Sequence, residues 1–183
     1  LALRAEHAEA RIARAGLLLD LGRPEDARRD LAALRTSAPR EPRVAYLRAL
    51  LAERDGNAAE ARAALTEITT LLDPLPIEVL RYRPQVLMLG GLAHFGLGQP
   101  QKAKPYLEMA QRGQAGGAVS KLLAQVYQAE NNHQRAAESL EQHLKAFPRD
   151  AQALAMLGQS QIALGRPARA VRQMQEALTA QDL

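Results

Sequence analysis

The sequence predicts an all-α fold, a solenoid of about five helical hairpins. Three observations carry the prediction. Roughly a third of the 183 residues are Ala or Leu, well above their ordinary share. Aromatics are only 3% of the chain, with no Trp, and β-branched residues are few, so a sheet would have little to pack with. Ala, Leu, Arg, Glu and Gln instead favour helix. Third, one turn signature recurs at a fixed period, which marks stacked repeats.

The signature is Gly-x-Pro. It occurs as Gly22-Arg23-Pro24, Gly98-Gln99-Pro100 and Gly165-Arg166-Pro167. Each copy follows a Leu-rich segment and is followed three residues later by Ala27, Ala103 or Ala170. Two further copies lack the Pro: Asp55-Gly56-Asn57 leads to Ala61, and Asn131-Asn132-His133 leads to Ala136. Gly or Asn supplies the left-handed residue that ends a helix. Pro fits the first turn of the next helix, where its missing N–H is not needed. The result is a tight turn between antiparallel helices, with a small Ala where they approach most closely.

Aligned on these turns, the chain divides into units 8–41, 42–75, 84–116, 117–150 and 151–183, each 33 or 34 residues long. Every unit holds two helices. Pro39, Pro74 and Pro148 sit where the second helix of a unit must stop. Residues 76–83 form an insert between the second and third units, and Gly113 to Gly117 form a loop between the third and fourth. The whole is expected to be one solenoid domain, 1–183. Leu1 opens within helical sequence and no Met precedes it, so we read the chain as a fragment of a longer protein.

Period, Gly turn, following Ala and terminal Pro together resemble the tetratricopeptide repeat (TPR). The last two units fit best. In 151–183 the expected slots hold Leu154, Leu157, Gly158, Gly165, Ala170 and Ala177; in 117–150 they hold Leu123, Ala124, Tyr127, Ala136 and Pro148. The first units depart from the pattern, with Arg11 and Arg14 in apolar slots. Gln161 and Met174 stand where an aromatic is common.

This resemblance implies a right-handed α-α superhelix. Its concave groove, lined by the first helix of each unit, would hold a peptide, a helix or a protein segment. The register then places Arg43, Tyr46, Leu50 and Arg54 from the second unit on the groove. The third unit contributes Gln85, Met88, Leu92 and Phe95, the fourth Lys121, Gln125 and Gln128, and the fifth Gln152, Met156 and Gln159. The list runs from cationic through apolar to Gln-rich, which suits a helix or extended peptide. Leu92 and Phe95 fit packing on a neighbouring helix equally well. A carboxylate clamp for acidic C-termini needs Lys and Asn at set slots, and Lys121 alone is not enough.

The segments Arg83 to Pro100 and Asp150 to Gly158 look like the long TPR lipoproteins of the bacterial PEP-CTERM system, which are associated with exopolysaccharide production and protein sorting. The likeness implies an interaction protein at the bacterial envelope, periplasm-facing through a lipid-anchored parent. A cytoplasmic location stays compatible with the sequence.

Chemistry is sparse. With no Cys, the chain has no disulfide, thiolate metal site or Cys nucleophile. His7, His94, His133 and His143 have no metal-like spacing, and His94 reads as a core residue. Gly90, Gly91, Gly96 and Gly98 follow no strand and lack the Lys-Ser/Thr of a phosphate loop, so close helix crossing explains them. Ser37, Ser120, Ser139 and Ser160 lack a nucleophile elbow. Glu25-Asp26 sits at a helix start, where it complements the dipole. We therefore expect no enzyme activity, cofactor or metal.

The net charge of +4 comes from Lys and Arg interspersed with Asp and Glu, a solvated face rather than a nucleic-acid patch. The most apolar run, Val86 to Leu97, spans about 12 residues where a membrane helix needs about 20. Two other functions stay open: an RNA-binding helical repeat, and a regulatory accessory domain of a larger enzyme or secretion complex. Beyond Leu183 nothing would cover Val171, Met174 and Leu178, so self-association through this last helix is also expected.

Overall fold

The computed structural model describes residues 2–113 and 117–179. Among the described residues there are eleven helices and no strand. They are α1 (Ala2–Asp20), α2 (Pro24–Ser37), α3 (Pro42–Arg54), α4 (Ala58–Leu72), α5 (Ile77–Leu80), α6 (Pro84–Gly96), α7 (Pro100–Arg112), α8 (Gly117–Ala129), α9 (His133–Ala146), α10 (Ala151–Ala163) and α11 (Pro167–Thr179). Ten of them pair into five hairpins; α5 lies in the insert. The expected all-α class is therefore observed. The expected loop at Gln114 to Gly116 and the expected exposure of Leu178 fall outside the described residues.

The five turns share one geometry. Gly22, Gly56, Gly98 and Gly165 have φ between 70° and 74°, and Asn131 has φ 56°. After each turn residue the next amide reaches back to the carbonyl five residues earlier. Arg23 N–H donates to Leu18 O, Asn57 to Ala52, Gln99 to His94, Asn132 to Tyr127 and Arg166 to Gln161, all at 2.8 Å. This is the closure of a Schellman motif, and it satisfies carbonyls that a helix end leaves bare. Where Pro is missing, a side chain caps instead: Asn57 Oδ1 accepts from Glu60 N–H at 3.1 Å, and Asn132 Oδ1 from Arg135 N–H at 3.2 Å.

Ala27, Ala61, Ala103, Ala136 and Ala170, the residues that follow the turns, are all buried. Glycine allows still closer approach within the α6–α7 hairpin. A Cβ on Gly90 would lie 2.6 Å from the Tyr106 ring, and one on Gly91 would collide with Leu107. Leu and Ala make up most of the remaining interior, with a few Ile and Val and the two buried rings Tyr106 and Tyr127, so the core closes with little aromatic bulk.

The chain forms two compact units. One comprises residues 1–76 with Gly96–Gly98, the other Ile77–Phe95 with Gln99–Leu183. In the first, Ile12, Ala15, Leu31, Leu34, Val44 and Leu51 make a core from α1, α2 and α3. In the second, Ala124, Ala137, Leu140, Ala153, Met156 and Leu157 do so from α8, α9 and α10.

Candidate functional site: the faces of the first helices

In the first unit α1 and α3 lie side by side. Arg43 binds Glu9 through two contacts, at 2.6 and 2.8 Å. It also grips Glu41, the N-cap of α3, through Nε at 2.8 Å. The guanidinium hydrogen bonds hold both carboxyls below their usual range and push Arg43 itself up. Arg54 Nη1 donates to Leu19 O at 3.2 Å. Tyr46 is half-buried, and burial followed by the nearby Glu53 charge raises its phenol. Leu50 is exposed.

In the second unit the same kind of tie joins α8 to α10. Lys121 pairs with Asp150 at 2.8 Å. Gln128 Nε2 donates to Met156 O at 3.0 Å and to Ser160 Oγ at 2.9 Å. Arg43, Arg54, Lys121 and Gln128, all expected on the groove, thus link one first helix to the next. Their polar heads are committed within the protein. Gln125 is half-buried, while Gln152 and Gln159 are exposed. Met156 departs from the expectation: it is 8% exposed and packs in the core with Leu140 and Leu157.

On α6, Met88, Leu92 and Phe95 are half-buried and Gln85 is exposed. Their spacing puts the three apolar residues along one stripe. The opposite side of α6 is core, with Leu87, Ala93 and His94 buried. His94 is satisfied internally, its Nδ1 2.9 Å from Gln99 Oε1.

Sequence reasoning missed the acidic partners Glu9 and Glu41. Glu9 precedes Arg43 by one repeat length, and that spacing was the available signal. Another missed feature is the cluster around Asp150, where His143 Nε2 stands 2.8 Å from Oδ2 and its Nδ1 2.6 Å from Gly117 O. Among the described residues no group of three or more His, Asp or Glu side chains is placed to hold a metal ion. No described helix is long and apolar enough to cross a membrane.

A family model described as tetratricopeptide repeat matches residues 12–74 and 121–182. No curated protein matches the chain. Among solved structures, MamA from Desulfovibrio magneticus RS-1 superposes with a TM-score of 0.67 at 16% identity, covering 96% of this chain and 95% of that one. A thermophilic TPR protein of Thermus thermophilus gives 0.62 at 20% identity, with 94% and 90% covered. YrrB, described as a TPR protein with an unusual peptide-binding site, gives 0.64 at 16% identity, with 94% and 85% covered. Likeness at these identities concerns the fold.

Proposed function

The chain belongs to the tetratricopeptide repeat family, and on that premise we propose that it is a non-catalytic scaffold that binds a helix or peptide segment of a protein partner. The observation that carries the reading is the stripe Met88, Leu92 and Phe95 on α6, partly open and bordered by exposed Gln85. Apolar side chains of a partner would dock on such a stripe, while amides at its edge fix the register. Exposed Gln152 and Gln159 on α10 extend the polar surface. Within that same unit Lys121 and Gln128 hold α8 to α10, as Arg43 and Arg54 hold α1 to α3 in the other unit.

The setting we propose is the periplasmic side of a bacterial envelope, within an exopolysaccharide or PEP-CTERM sorting assembly and carried by a lipid-anchored parent protein. Support comes from the texture of residues 83–100 and 150–158. Fractionation of cells producing the tagged full-length protein tests the location, and recovery in the soluble cytoplasm would refute it.

The binding reading is tested by capture of a partner and its loss on Met88→Asp. Glu138→Lys, on an exposed part of α9, should leave capture unchanged. If Glu138→Lys abolished capture and Met88→Asp did not, the α6 face would be the wrong surface.

A further inference from the structure

Residues 76–83 stand outside the repeat period, yet the structure holds them firmly. Leu80 is 4% exposed and anchors the insert. Arg83 N–H donates to Leu80 O at 2.8 Å, and Arg83 O accepts from Leu87 N–H at 3.1 Å, so the segment runs straight into α6. The end of α7 closes on it: a Cβ at Gly113 would stand 3.6 Å from Pro84 Cβ and 3.8 Å from Arg81 O. Ile77 to Phe95 and all of α7 belong to one compact unit.

On this fixed base apolar and cationic side chains face outward together. Val79 is 63% exposed and Tyr82 75%. Arg81 lies over the Tyr82 ring, 4.5 Å from its centroid, and its Nη2 donates to the phenol oxygen. The stack restrains both side chains, so a partner has less to order on binding. Arg83 and, from the end of α7, Arg112 are exposed as well. Arg28, Arg43 and Arg169 each meet a carboxylate, of Asp55, Glu9 and Glu141. Arg81, Arg83 and Arg112 meet none among the described residues, and Glu78 is the one acid of the insert. Unpaired cations gathered at one end of a hairpin repel each other, and a carboxylate supplied by a partner relieves that repulsion.

We propose that the insert and the end of α7 dock an acidic segment of a protein partner. Val79 and Tyr82 would take an apolar side chain, and Arg81, Arg83 and Arg112 the carboxylates beside it. This rests on the reading that a partner segment lies along the α6 stripe. Gln85, at the edge of that stripe, follows Tyr82 by three residues, so a segment that runs past Gln85 reaches the insert. Tyr and Arg are side chains that anchor protein interfaces. A single-stranded nucleic acid calls for a succession of rings, and the insert has one. A membrane surface calls for a broader apolar face than Val79 and Tyr82 offer.

Fluorescence anisotropy tests the proposal with a labelled peptide that carries Leu at helical spacing and a run of Glu at each end. Its counterpart has Gln in place of Glu. The 183-residue chain should bind the Glu peptide about tenfold more tightly than the Gln peptide at low salt, and high salt should erase the difference. Arg81→Glu combined with Arg83→Glu should abolish the preference and leave the affinity for the Gln peptide unchanged. Tyr82→Ser should weaken both peptides alike. Should the double variant lose helical circular dichroism, Arg112→Glu, outside the insert, takes its place. Equal binding of the two peptides by the wild-type chain would overturn the proposal. So would a Glu preference that survives the charge reversals, or capture of the chain by phosphatidylglycerol vesicles in place of the Glu peptide. Met88→Asp tells the two readings apart. Loss of both peptides in that variant, with no Glu preference in the wild type, leaves the α6 stripe standing and refutes the insert. A Glu preference that Met88→Asp leaves intact refutes the α6 stripe and keeps the insert as the docking site.

Discussion

Tyr127 on α8 donates its hydroxyl proton to Glu108 Oε1 on α7, across 2.7 Å. The ring is 4% exposed, and Arg135 and Lys104 stand over it at 5.2 and 5.4 Å. Burial first, then the Glu108 hydrogen bond, push the phenol up to about 12. It therefore stays a neutral donor across the working range of pH. Tyr127→Phe keeps the packing and the cations over the ring but removes the bond to a charged acceptor. We expect a loss of about 1.5 kcal/mol in urea unfolding; an unchanged midpoint would mean that the bond is offset by water.

Two helical glycines should respond to Ala with opposite signs. Ala gains about 1 kcal/mol over Gly from helix propensity alone. At Gly16 the nearest atom to an added Cβ is Leu47 Cδ2 at 3.8 Å, so Gly16→Ala should stabilise by up to that amount. At Gly90 the Cβ would meet the Tyr106 ring at 2.6 Å, and overpacking costs about 1–3 kcal/mol. Gly90→Ala should therefore lower the melting temperature. Equal effects at the two sites would undo the crossing argument.

Much of this architecture was legible because its signals are local. Gly22, Gly56, Gly98, Asn131 and Gly165 are turn residues whose chemistry needs no tertiary context. The face of a first helix is harder to read. Groove and core positions on α10 are separated by a small rotation about its axis, and Met156 fell on the core side. Arg14, an apparent departure from the repeat pattern, became intelligible only with its partner. Its Nε donates to Asp30 Oδ2 at 2.7 Å, and Asp30 is a buried carboxylate on α2. Gln161, in an aromatic slot, is buried with its Nε2 3.5 Å from Glu141 Oε1.

The left-handed turns make a separate prediction. Gly56 has φ +70° and no atom within 4 Å of an added Cβ. Gly56→Ala should nevertheless cost about 1 kcal/mol, from backbone strain alone. Asn131→Gly should do the reverse and stabilise the α8–α9 hairpin, because Asn already holds φ 56° there. Amide hydrogen exchange of the Asn132 N–H, which closes that turn onto Tyr127 O, reports the change locally. Faster exchange in the Asn131→Gly variant would contradict the strain account.

Asp150 ties three helices together and should make the fourth-to-fifth junction sensitive to acid. Its Oδ1 accepts from Ala153 N–H at 3.0 Å and so caps α10. Its Oδ2 receives Lys121 Nζ and His143 Nε2, each at 2.8 Å. The Lys121 hydrogen bond, then that from Ala153, hold the carboxyl well below its usual range. A folded carboxyl depressed below its unfolded value of about 3.9 stabilises the protein above that pH. The contribution is lost as pH falls through the unfolded value toward the folded one. Asp150→Ala should cost about 1 kcal/mol at neutral pH from the lost cap alone, and more with the ion pair removed. Asp150→Asn keeps a capping oxygen and should cost less. Urea midpoints of wild type and Asp150→Ala should then converge as pH drops below about 4. A gap that stayed constant from neutral pH into strong acid would show that the charge on Asp150 adds nothing to its role as a cap.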